Sequence, residues 1–139
     1  MGAAPSAERV TYEDVQRAQK DSAAMLVSTL PSSSQGCLLA TTLFPSAEEK
    51  ELNECLKRGD ASRLIIVYGL NTLDLSPEKK CRQLTGLGFS RVRLYAGGLF
   101  EWALLQDIYG PGLFPTTTPC GDPMRFKDPG SISQLRLTV

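Results

Sequence analysis

The sequence contains no histidine. That absence removes the commonest general base and the commonest metal ligand together. No sign of charge prevails either: Lys plus Arg and Asp plus Glu both number 15, and the basic residues are scattered. Nothing in that pattern steers the chain toward nucleic acid or anionic lipid. Long apolar runs are missing, so no stretch matches a bilayer's thickness, and the first residues lack a signal peptide's apolar core. The expectation is a soluble, cytoplasmic protein. Close cysteine pairs are also missing. Cys37, Cys55, Cys81 and Cys120 stand far apart, without the spacing that zinc or dithiol sites use, so they read as ordinary thiols, and neither a metal nor a cofactor is expected. The 139 residues fit one domain, long enough to bury a core without disulfides.

What is present is organised around residues 63–109. RLIIVYG (63–69) is a non-alternating run of β-branched and aliphatic residues, the pattern of a strand buried on both faces. Ser76 as N-cap and Pro77 at the first helical position open a helix that Gly88 closes. RVRLY (91–95) is the next strand, and after the Gly97-Gly98 turn comes the apolar helix 99–109. A lone glycine pair without further glycines or a Lys is a turn, not a phosphate loop. Parallel strands joined by a helix need a right-handed crossover, and sites in such sheets lie at the carboxyl ends of the strands. The candidate binding loop is therefore Gly69, Leu70, Asn71, Thr72, Leu73, Asp74, Leu75 and Ser76.

Upstream, residues 1–9 are rich in Ala, Pro and Ser and read as a disordered tail. The tail begins Met-Gly with Ser6 at the sixth position, a pattern that makes Gly2 a candidate for N-myristoylation, the one route by which a membrane becomes a partner. Thr11 and Asp14 form a capping box for a helix over 12–21, with Val15 and Ala18 facing inward. Strands are expected over 24–29 and 37–44, with an exposed loop between. Ser46 and Glu49 look like a second capping box, for a helix carrying Leu52, Cys55 and Leu56 on one face and ending near Gly59. The reading is α/β, with strands alternating with helices throughout. Past Tyr109 the proline-rich chain loses periodicity. Phe114 is expected to lie over the domain, and residues 115–139 to form an extended or disordered tail.

Residues 10–109 resemble a single rhodanese-like domain. The resemblance is carried by the opening VTYEDV (10–15), the buried strand 64–68, Leu87-Gly88-Phe89, Val92, Leu94, Gly97-Gly98 and Trp102. It implies a rhodanese-like three-layer α/β fold over residues 10–114, an about five-stranded, mainly parallel sheet with helices on both faces. The first half departs from the family, with Ser28-Thr29 and GCLLAT (36–41) where the family has an Asp, an Arg and a Gly-His-Ile-Pro-Gly-Ala stretch. Active members carry a cysteine directly after the buried strand, in a loop that holds an anion at a helix N-terminus. Here that position is Gly69. The loop holds no Cys, Arg or Lys, its one charge is Asp74, and it is about two residues longer than usual.

The resemblance thus implies a diverged member with no catalytic residue in the loop, a catalytically inactive interaction or structural module with an unknown protein partner. The rival is a sulfurtransferase or phosphatase-like enzyme using a non-standard cysteine, for which only Cys37 or Cys81 qualifies. Cys81 falls on a helical stripe with Leu84 and Leu87 and is expected in the core. Trp102, with Phe100, Leu104, Leu105 and Ile108, belongs to a core or interface helix. A Gly69→Cys change is expected to fold normally and to restore no sulfur transfer.

Overall fold

The structure, a computed structural model, describes residues 7–31 and 35–127. Four short parallel strands form: β2 (Met25–Ser28), β3 (Ile65–Tyr68) and β4 (Val92–Tyr95) where strands are expected, and β1 (Glu8–Arg9), an exposed charged pair at the end of the stretch that reads as a disordered tail. Their order across the sheet is β1-β4-β3-β2, with Val67 of β3 paired to Val27 on one side and Leu94 on the other. All four residues of β3 are buried, as a strand covered on both faces requires.

Successive strand residues point to opposite faces, and the core divides accordingly. Leu26, Ile66 and Tyr68 pack in one cluster with Val15 and Ala18 of α1 (Tyr12–Gln19) and Leu99, Trp102 and Ala103 of α4 (Gly98–Tyr109). Met25, Val27, Ile65 and Val67 pack in the other with Leu52 and Cys55 of α2 (Pro45–Lys57) and Cys81 and Leu84 of α3 (Ser76–Leu87). This is a three-layer α/β sandwich. α1 begins at the expected capping box, Thr11 accepting from the Asp14 amide and the Asp14 carboxylate accepting from Thr11. α3 stops at Gly88, whose φ of 116° suits a residue without a Cβ.

Several elements differ from expectation for local reasons. Residues 37–44 form no strand. Thr41 takes a φ of 71°, which breaks an extended run, and only two single-residue bridges form, Thr42 parallel to Leu26 and Leu39 antiparallel to Thr116. Among the described residues the sheet is therefore four-stranded, with Thr42 marking the fifth position by its bridge to Leu26. α2 starts at Pro45 with Phe44 as an N-cap that makes no side-chain bond. Proline at the first turn presets the helical φ, so the Ser46–Glu49 box is not its opening. α3 likewise has Leu75, not Ser76, at its N-cap. Leu87 and Ile108 are exposed at 54% and 68%, so the buried stripe of α3 ends at Leu84.

The stretch after Phe114 packs on the body of the domain through residue 127. Cys120 and Phe126 are buried with the α1/α4 cluster, and a 3₁₀ helix, Pro123–Phe126, is capped by Asp122. Gly2 and residues 128–139 lie outside the described residues. Among the described residues no helix is long and apolar enough to cross a membrane.

Candidate functional site

The β3–α3 loop lies at the carboxyl end of the central strand, beside the start of α4. The beginning of the loop is locked to the start of α4 through backbone: the Leu99 amide donates to the Gly69 carbonyl at 2.9 Å and the Phe100 amide to the Leu70 carbonyl at 2.8 Å. Gly98 makes this approach possible. It has a φ of 64°, and a Cβ there would lie 2.6 Å from the Gly69 carbonyl oxygen.

Inside the loop, Asp74 is the organising side chain. One carboxylate oxygen accepts from the Leu70 amide at 2.9 Å. The other accepts from the Ser76 amide at 3.0 Å and the Ser76 hydroxyl at 2.7 Å. Burial raises the Asp74 pKa, but these bonds outweigh it and hold the group below the ordinary carboxylate value. The Ser76 hydroxyl also meets Thr29 Oγ1 at 2.9 Å. Asn71, itself buried, accepts from the Leu73 amide at 3.0 Å and donates to the Phe126 carbonyl at 3.0 Å, tying the loop to the C-terminal segment. Thr72 is exposed. Leu73 and Leu75 turn outward and are exposed at 61% and 68%.

Gly69 has no space for a side chain. A Cβ there would collide with the Asp74 carboxylate, and with Pro77 Cγ at 2.5 Å. This corrects the expectation that Gly69→Cys folds normally. The cause is crowding by Asp74 and Pro77, which is invisible in the spacing of the residues.

The two cysteines considered as alternative nucleophiles have different surroundings. Cys81 is buried in the α2/α3 layer, and burial, with Glu78 adding, pushes its thiol up to about 11. It does not reach the loop surface. Cys37 lines an open cleft of about 450 Å³ together with Gly36, the loop residue Leu70, Thr118, Arg125 and Phe126. Its Sγ lies 2.9 Å from Cys120 Sγ. All four cysteines are free thiols, as the sequence suggests, but their distance along the chain hides the approach of this pair. No signal in the sequence brings the two together, because they are joined only by the path of the C-terminal segment.

No family model matches the chain, and no curated protein sequence matches it. Solved structures do. The BH2092 protein from Bacillus halodurans superposes with a TM-score of 0.62 at 17% identity, over 93% of this chain and 90% of its own. The Alr3790 protein from Anabaena sp. gives 0.57 at 20% identity, over 84% and 97%. The solution structure of the rhodanese-like domain from Anabaena Alr3790 gives 0.54 at 21% identity, over 82% and 86%. Identities this low speak to architecture, and together with the parallel β1-β4-β3-β2 sheet and its two helical layers they establish that the chain has the rhodanese-like fold.

Proposed function

We propose that this chain is a rhodanese-like module that performs no chemistry at its β3–α3 loop and instead binds a partner protein there. The observation that supports the reading is the position of Asp74. In a loop built to hold an anion, backbone amides at the helix start converge on the ligand. Here the amides of Leu70 and Ser76 converge on the chain's own carboxylate. An incoming sulfite, phosphate or thiosulfate would have to displace a bonded carboxylate and then sit beside its negative charge. Outward the loop offers two apolar side chains, Leu73 and Leu75, beside the hydroxyl of Thr72.

The test uses the full chain as bait and compares it with Leu73→Asp/Leu75→Asp. Both positions are exposed, so the double variant should keep its melting temperature while losing the captured protein. A parallel thiosulfate-to-cyanide assay should stay at background. Turnover that survives in purified wild type and disappears in Cys37→Ser would instead support the enzyme reading, which Cys37 and its cleft keep in contention.

A further inference from the structure

Cys37 and Cys120 are 83 positions apart in the chain, yet their Sγ atoms lie 2.9 Å from each other. The approach is held by two segments laced together on both sides of the sulfurs. The Ala40 amide donates to the Pro115 carbonyl at 3.0 Å and the Thr117 amide to the Leu38 carbonyl at 2.8 Å. The Leu38 amide donates to Thr117 Oγ1 at 3.0 Å, and the Thr118 hydroxyl to the Gly36 carbonyl at 2.7 Å. Arg125 donates to the Cys120 carbonyl. The thiols are therefore positioned by a network that does not depend on any bond between them.

Access to the pair is one-sided. Cys37 lines the open cleft beside Arg125, whereas Cys120 is 1% exposed and lies behind it. A thiolate at Cys37 accepts a hydrogen bond from Cys120, which lowers its pKa against the opposing effect of burial, with Thr116, Thr118 and the Arg125 charge adding. The same contact raises Cys120. One sulfur is thus disposed to react and the other to follow.

We propose that Cys37 and Cys120 are a dithiol–disulfide couple, oxidised by a hydroperoxide that enters the cleft lined by Gly36, Leu70, Thr118 and Arg125. The Cys37 thiolate attacks one peroxide oxygen: an S–O bond forms, the O–O bond breaks, and the departing hydroxide takes up the proton released by the thiol. The Cys120 sulfur then attacks Cys37 Sγ. The S–S bond forms, the S–O bond breaks, and the hydroxide leaves as water with the Cys120 proton. Two thiols and hydrogen peroxide give one disulfide and two waters, the two electrons passing from sulfur to oxygen. The product ties residues 115–127 covalently to the body of the domain and, through the Asn71–Phe126 bond, fixes the segment that borders the loop. The inference stands apart from the partner-binding reading, since it involves neither Leu73 nor Leu75.

The experiment treats the folded full-length chain with equimolar hydrogen peroxide, alkylates the remaining thiols and maps the peptides by mass spectrometry. The expected product is a Cys37–Cys120 cross-linked peptide pair with a mass loss of about 2 Da, reversed by dithiothreitol and formed about tenfold faster than any change at Cys55 or Cys81. In Cys120→Ser the reaction should stop at a Cys37 sulfenic acid that dimedone traps. Separate alkylation of Cys37 and Cys120 after treatment, oxidation no faster than at Cys55 and Cys81, or a cross-link that forms only in denaturant would each overturn the proposal.

Discussion

A carboxylate that accepts from the Leu70 amide, the Ser76 amide and the Ser76 hydroxyl is better stabilised as an anion in the fold than in the unfolded chain. Its folded pKa therefore lies below its unfolded one. The contribution is present at pH values above the unfolded carboxylate range, near pH 4, and is lost as pH falls through the folded value. Asp74→Asn should cost about 1–2 kcal/mol at pH 7, and the gap between wild type and variant should narrow toward pH 3. Urea melts at the two pH values check this. Asp14 is also held below its ordinary value, by its bonds to the Thr11 amide and to Arg17, but it is common to both proteins and cancels. Gly69 is constrained by the same carboxylate from the other side. Pro77 Cγ cannot rotate away from a new Cβ at 2.5 Å, and moving Asp74 would break its bond to Leu70. Gly69→Ala should therefore destabilise by about 1–3 kcal/mol, and a melt indistinguishable from wild type would show that the loop yields without loss.

Among the elements, α4 is the one whose burial was most legible in the sequence and whose partners were least so. An apolar helix after a Gly-Gly turn reads as a core or interface helix, and the Trp102 ring is fully buried. Its neighbours follow from the fold: Tyr95 of β4 meets it edge-on with centroids 6.2 Å apart and Phe114 at 5.0 Å, while its indole N–H donates to the Pro115 carbonyl at 3.1 Å. Trp102→Ala should lower unfolding free energy by about 3–5 kcal/mol, because it leaves a cavity at the junction of sheet, helix and C-terminal segment and leaves the Pro115 carbonyl with the Ala40 amide as its remaining donor. A chemical melt measures the loss. The strands β2 and β3 were legible for a related reason, since buried parallel strands need no alternation and apolar runs mark them directly. Residues 37–44 carry the same kind of run, but Thr41 interrupts it with a positive φ. A threonine gives no warning of that.

At the scale of the whole molecule, the α/β order and the position of the loop followed from the spacing of strands, prolines and glycines, whereas the C-terminal segment did not. Residues 115–127 have no helical or strand period to read. They are held by single contacts to distant positions: Thr116 to Leu39, Phe126 to Asn71, Cys120 to Cys37. Such contacts depend on where the body of the domain has placed its partners, so only the assembled fold reveals them. The segment should consequently behave as part of the domain when it is cut away. Comparing a chain ending at residue 127 with one ending at residue 114 isolates its contribution. Removal uncovers Cys37, Leu38 and Leu39, takes away the buried Phe126 and Cys120, and leaves Trp102 and Asn71 without the Pro115 and Phe126 carbonyls they donate to. Burying one large apolar side chain contributes about 1.5–3 kcal/mol, and a hydrogen bond about 1 kcal/mol net. The shorter chain should lose at least about 3 kcal/mol in urea unfolding, bind a hydrophobic dye in its native baseline and expose Cys37 to rapid alkylation. Unfolding free energies within about 0.5 kcal/mol of each other would show instead that the domain is complete at Phe114 and the segment merely rests on it.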